Sequence, residues 1–152
     1  MPTRVLGVLF SLLLAALPTF AADRNIQAVG ILHLGGEQIE VLSWSWGMTQ
    51  TASSTGGGGG GAGKVQMQDF HFTKPVDKAS LMLFDACMKG QHFPEATLTV
   101  RKAGGGQQEY MTFKMTDVLV SSYQTGGSTS DIVNESFSFN FSRIELMVPR
   151  GR

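Results

Sequence analysis

In the stretch Ile39-Glu40-Val41-Leu42-Ser43-Trp44-Ser45-Trp46-Gly47-Met48-Thr49-Gln50, large apolar side chains recur at every second position from Leu42 to Met48, with Ser43 and Ser45 between them. Successive side chains of a strand point to opposite faces, so this period predicts a strand with Trp44 and Trp46 on one face and Val41, Ser43 and Ser45 on the other. An indole buries roughly 150–250 Å² when covered, which makes both tryptophans expected core residues. The small hydroxyls opposite leave a thin, wettable face. A few residues later come Gly56, Gly57, Gly58, Gly59, Gly60 and Gly61, then Ala62, Gly63 and Lys64, before a second alternating segment, Lys64–Thr73. Strand, long glycine-rich loop over residues 51–63, strand is the unit around which the rest is arranged.

Outward from this unit the apolar pattern predicts strands at Ile26–Leu34, Gln38–Met48, Ala96–Ala103, Gln108–Tyr123 and Ile132–Val148. Gly35-Gly36 and Gly104-Gly105-Gly106 read as hairpin turns, and Gly126-Gly127-Ser128 as a wider loop. Between Ser136 and Ser142, Phe137, Phe139 and Phe141 alternate with small polar residues, the pattern of a half-buried sheet whose phenylalanines are core. Ile144, Leu146 and Val148 continue one residue out of phase, so a bulge is expected near Ser142-Arg143. One helix is predicted over Ser80 to Lys89, with Asp77 or Ser80 as N-cap, Gly90 as C-cap and Leu81, Phe84, Cys87 and Met88 on its buried face. The fold class is mainly β: a small antiparallel β-barrel with one short α-helix.

With 152 residues, 12 basic and 12 acidic, the chain is a single neutral domain with no electrostatic attraction for nucleic acid. Arg4, the apolar run Val5 to Leu14 and the small residues Thr19 and Ala21 form a signal peptide over residues 1–21, too short for a span of about 20 apolar residues. The expected mature domain is 22–152, beginning at Ala22, secreted, and without membrane attachment once the leader is removed. Cys87 is the single cysteine, so no intramolecular disulfide forms, and its helical context makes it a small hydrophobe rather than a nucleophile.

The chemistry-bearing motifs all fail on context. Gly58 to Val65 nearly matches a phosphate-binding loop, but Val65 stands where a Ser or Thr hydroxyl is needed, and a strand follows instead of a helix. His33, His71 and His92 lack neighbours at metal-ligand spacing, so no metal or other cofactor is implied. Asp69 and His71 share a strand face as a surface pair rather than a catalytic dyad, and no nucleophile elbow is present. The expectation is a protein that is not an enzyme and works through its surfaces.

The run Ile39 to Gln50, the tract ending Ala62-Gly63-Lys64-Val65, and Gln68-Asp69-Phe70 with Phe72-Thr73-Lys74 resemble the Hcp family, the tube subunit of bacterial type VI secretion systems. Ala86-Cys87, Gly90 to Pro94, Ala96 to Gly104 and Val118 to Ser122 with Thr125-Gly126-Gly127 follow in the family's order, so the resemblance covers about Glu40 to Phe141. It implies a β-barrel that partners itself in a homohexameric ring, rings that stack through the long loop, small effector proteins carried in the lumen, and contacts with other secretion-system components. Under that resemblance Ser43 and Ser45 face the lumen. The stacking loop comprises Thr51, Gly56, Gly57, Gly58, Gly59, Gly60, Gly61, Gly63 and Lys64. Two departures stand out: the family's tube subunits have no leader, and the family's usual C-terminal segment is missing after Arg152. An exported Hcp-fold binding module that holds a small protein or ligand without forming tubes is the alternative, and a periplasmic hydrolase the third reading.

Overall fold

The computed structural model describes residues 28–51, 63–101, 109–129 and 133–149; the leader, Gly56 to Gly61 and the expected turn at Gly104 to Gly106 lie outside them. Ten elements follow in order: β1 (Gly30–Leu34), β2 (Glu37–Val41), β3 (Ser43–Ser45), β4 (Met48–Gln50), β5 (Val65–Met67), β6 (Phe70–Pro75), α1 (Ser80–Lys89), β7 (His92–Arg101), β8 (Glu109–Thr125) and β9 (Asn134–Met147). All strand pairing is antiparallel, in a seven-stranded sheet ordered β2-β1-β7-β8-β9-β6-β3 and a separate ribbon of β4 with β5. The β1–β2 hairpin turns on Gly35 and Gly36, both at positive φ (57° and 84°), where a Cβ would be strained.

The sheet curls into a half-barrel because its two edge strands are consecutive in the chain. Val41 ends β2 at one edge, and two residues later Ser43 begins β3 at the other. The Leu42 N–H donates to the Thr73 carbonyl at 2.8 Å, so the backbone passes from pairing with β1 to pairing with β6 across a single residue. This corrects the expectation of one strand over Gln38–Met48. The bend at Leu42 inverts the side-chain parity, so Val41 is fully buried while Ser43 and Ser45 are exposed, and Met48 leaves the sheet for the ribbon, where it is largely exposed. Lys64–Thr73 likewise divides into β5 and β6.

Inside the curl lie Phe70 and Phe72 of β6, Phe137, Phe139 and Phe141 of β9, Leu98 of β7, and Phe113 and Met115 of β8, all buried. The phenylalanines pack as offset and tilted pairs, with Phe70–Phe72 at 4.8 Å and Phe72–Phe137 at 5.0 Å between centroids. Trp44 and Trp46 are half-buried rather than enclosed: they cover Phe70 and Phe113 from the rim, where β3 is an edge strand of the sheet. The Trp46 Nε1–H donates to the Gln68 carbonyl at 3.0 Å, satisfying the polar end of a ring that faces partly outward.

Helix α1 spans the predicted residues and ends on Gly90 in the left-handed conformation. Its N-cap is Ala79, yet the first turn is held by reciprocal bonds. The Asp77 N–H donates to Ser80 Oγ at 2.9 Å, and the Ala79 N–H to Asp77 Oδ1 at 2.9 Å. The buried face is Ser80, Leu83 and Ala86, not the expected Leu81, Phe84 and Met88, which are exposed, while Cys87 is half-buried. Both stripes have helical spacing, so periodicity could not choose between them; the tie is broken by the polar anchor at Ser80 described below.

The expected bulge at Ser142-Arg143 is also corrected. Register between β8 and β9 runs unbroken from Thr112↔Met147 to Val120↔Phe139 and shifts only between Val120 and Ser122. The phase slip at Phe141/Ile144 has a counterpart across the ladder, where Thr116 and Asp117 are both exposed and Asp117 adopts φ 53°.

Candidate functional site: a hydroxyl-lined sheet face

On the face of the sheet turned away from the core, the registers place two continuous rungs across four strands. One rung is Ser43 of β3, Thr73 of β6, Ser136 of β9 and Gln124 of β8; the other is Ser45, His71, Ser138 and Ser122. All of these residues but Ser138, which is buried, line a concave hollow of about 480 Å³ together with Trp44, Phe72 and Phe137. Each member alternates with a core residue of its own strand, such as Phe72 between His71 and Thr73, so the pattern that fills the barrel also paints the outer face with small polar groups.

The bulge in β8 contributes to this face. An extra residue between Val120 and Ser122 turns both Ser121 and Ser122 outward while Val120 and Tyr123 remain against the core. Ser121 Oγ donates to Asp69 Oδ2 at 2.7 Å, and Asn140 Nδ2 donates to Asp69 Oδ1 at 2.9 Å. A hydroxyl has one proton, so Ser121, having given its own to Asp69, must accept from Ser138 at 2.8 Å. Ser138 in turn must accept from Ser122. Asp69 thus orients a relay of three hydroxyls along the face. Its partners are Ser121 and Asn140 rather than His71, which lies in the neighbouring rung.

Beside the face, the strands β4 and β5 pair as Met48↔Met67, Thr49↔Gln66 and Gln50↔Val65 and carry the roots of the glycine-rich loop. Gln50 Nε2 donates to the Gly63 carbonyl at 3.4 Å. A Cβ at Gly63 would fall 1.3 Å from the Thr51 carbonyl oxygen, so the two ends of the loop approach each other as closely as only glycine allows. Thr51 is one side of this contact and Lys64 follows the other; the intervening Gly56 to Gly61 are outside the described residues.

Behind the face sits a polar cluster that sequence reading missed. Lys74 and Glu135 are directly opposed across β6 and β9, and both are fully buried. Lys74 Nζ donates to Glu135 Oε1 at 2.6 Å, to Asp77 Oδ1 at 2.7 Å and to the Pro75 carbonyl at 2.8 Å. Ser80 Oγ donates to Glu135 Oε1 at 2.8 Å, and the Tyr123 hydroxyl to Glu135 Oε2 at 2.6 Å. Every strong acceptor of Glu135 is occupied, which is what permits a buried ion pair. Burial pushes the Tyr123 phenol up to about 12, with its hydrogen bond to the Glu135 carboxylate acting in the same direction. The cluster ties the first turn of α1 to β6, β8 and β9, the strands that carry both rungs.

Among the described residues no group of three or more His, Cys, Asp or Glu side chains is placed to hold a metal, and no helix is long and apolar enough to cross a membrane.

The chain is similar to several known proteins. Residues 35–147 match the family described as "Type VI secretion system effector, Hcp". Protein hcp1 of Pseudomonas aeruginosa is 56% identical over 112 residues, which cover 72% of this chain and 69% of that protein. The crystal structure of Hcp1 from Salmonella typhimurium superposes with a TM-score of 0.66 at 28% identity, over 78% of this chain and 86% of that one. A chain of the sheath-tube complex of an extracellular contractile injection system, at 18% identity and a TM-score of 0.58, covers 84% of this chain and 94% of its own and shares the fold alone.

Proposed function

This chain belongs to the Hcp family and is a tube protein of a type VI secretion system, and from that premise we propose that its hydroxyl-lined face forms the wall of the tube's channel. Six copies close into a ring, with Ser43 and Ser45 turned to the lumen. Rings stack through the loop that leaves β4 and returns at β5, with Thr51, Gly63 and Lys64 at its root. Small effector proteins travel in the lumen, and other secretion-system components meet the tube from outside. The chain's contribution is structural, not catalytic.

The observation that carries this reading is the pair of polar rungs, Ser43-Thr73-Ser136-Gln124 and Ser45-His71-Ser138-Ser122, of which Ser138 alone is buried, on a curved sheet whose other face is sealed by phenylalanines. A wall past which proteins must slide needs side chains that hydrate well and offer no apolar grip, and short hydroxyls and amides meet that need. The protein is a secreted component of its system, and residues 1–21 act as the leader that exports it, with Ala22 as the first mature residue.

Negative-stain electron microscopy of the purified mature protein tests this. Annular particles with an open centre are expected, with an intact mass corresponding to a start at Ala22. A protein that stays monomeric at high concentration, and is recovered with a bound partner, would instead be the exported binding module.

A further inference from the structure

Three neighbouring strands change the face they bury at the same row. In β7, Phe93 is buried and then Ala96, Leu98 and Val100, with Pro94 and Glu95 both exposed between them. In β8, Phe113 and Met115 are buried and then Val118 and Val120, with Thr116 and Asp117 exposed. In β9, Phe137, Phe139 and Phe141 are buried and Ile144 half-buried, with Ser142 and Arg143 exposed. The pairs Phe93↔Val118 and Glu95↔Thr116 flank Pro94, while Val118↔Phe141 and Thr116↔Arg143 flank Ser142. Pro94, Asp117 and Ser142 therefore form one row across the sheet, and register is continuous through it on both sides.

A bulge would change parity in one strand and shift the register; here parity changes in all three with no shift, so the sheet is folded along a line. The middle residue is the one that departs from strand geometry. Asp117 has φ 53°, the left-handed region, which aspartate visits more readily than most residues. Its flanks are adapted to it: Pro94 lacks the N–H that a regular ladder would direct at β8, and Ser142 Oγ donates to the Thr116 carbonyl at 3.2 Å. His92 Nδ1 lies 2.9 Å from Asp117 Oδ1 and holds the side chain from the β7 side.

We propose that the Pro94-Asp117-Ser142 row is a built-in crease, with Asp117 as its pivot, that fixes the angle between the hydroxyl-lined part of the sheet and the part formed by β1, β2 and the far ends of β7 and β8. The polar rungs lie on one side of the row and β1 pairs with β7 on the other. In a closed assembly that angle sets the wedge each subunit occupies, so the crease also sets how many copies complete a ring. The ring consequence rests on the assembly reading above; the bend does not.

The test is a series at one position in the full mature chain: Asp117→Gly, Asp117→Asn, Asp117→Ala and Asp117→Val, read by thermal melting and by subunit number in native mass spectrometry. Gly and Asn accept the left-handed conformation, so both are expected to keep the wild-type Tm within about 2 °C and the wild-type subunit number. Ala is expected to lower Tm by about 3 °C and Val by about 5 °C or more, with Val giving open or miscounted assemblies. If Val fails to fold, the Gly-against-Ala difference carries the same information. Equal Tm for Gly and Ala, or a loss with Asn as large as with Val, would overturn the proposal, the latter because it would assign the effect to the His92 contact. A wild-type protein that forms no ring removes the assembly reading while the melting order still decides the crease.

Discussion

Lys74→Ala is expected to lower the stability of the barrel by about 3–5 kcal/mol, the cost of leaving one member of a buried ion pair without its partner. Glu135 would keep its bonds from Ser80 and Tyr123 but lose the only positive charge bonded to it among the described residues, in a site closed to water. Urea denaturation measures the loss directly. The double variant Lys74→Met with Glu135→Leu should recover only part of it: the pair's desolvation nearly cancels its attraction, but Ser80 Oγ and the Tyr123 hydroxyl lose their acceptor. A single-variant loss below about 1 kcal/mol would mean that water reaches the cluster. The same cluster gives an alkaline signature. The Tyr123 phenol is raised in the folded state from 10.0 to about 12, so the native chain holds a proton that the unfolded chain releases in that interval. The resulting stabilisation is complete below pH 10 and is lost as pH rises towards 12. Tyr123→Phe should remove that part of the alkaline slope.

Deleting Gly56 to Gly61 is expected to abolish the stacking of rings into tubes while leaving single rings and thermal stability almost unchanged. The strands at the loop's root are already paired from Met48↔Met67 to Gln50↔Val65, so the deletion shortens a closed loop without opening the ladder. Halving a loop changes closure entropy by about 0.6 kcal/mol. The β4–β5 ribbon is apart from the seven-stranded sheet, so the polar rungs and the crease remain intact. Sedimentation and electron microscopy at matched protein concentration separate the two effects. Tubes that persist after the deletion would show the loop to be a passive connector.

How far the sequence could be read depended on whether one period was available at each place. Alternation in Phe137 to Phe141 and in Phe70-Phe72 located the core strands, and Gly90 located the end of α1. Where parity inverts, a single period misleads: the bend at Leu42 separates β2 from β3 and buries Val41, and the departure of β4 from the sheet after Ser45 exposes Met48. In the sequence of β9 the crease shows only as a phase slip, because the residue at its centre, Asp117, lies in β8. Alternation alone puts Ser43 and Ser45 on the face opposite Trp44, where both are exposed, but the remainder of both rungs needs the register. The missed cluster had a signal. Lys74 continues the parity of Phe70 and Phe72, and Glu135 that of Phe137 and Phe139, so two opposite charges stood at core positions of strands whose phenylalanines already marked the inside. Choosing between the two apolar stripes of α1 required knowing that Ser80 reaches Glu135.

The claim that the hydroxyl-bearing face lines a closed channel is tested most directly by accessibility. In a Cys87→Ser background, Ser45→Cys supplies one thiol on the polar rungs and Lys78→Cys one on the exposed helix side. Labelling rates with a small maleimide and with a long poly(ethylene glycol) maleimide are measured on dilute subunits and on assembled protein. Assembly is expected to leave both reagents equally fast at position 78, and to leave the small reagent able to reach position 45 while slowing the long one there at least tenfold. Equal rates for the long reagent at position 45 before and after assembly would place this face outside the tube and contradict the account.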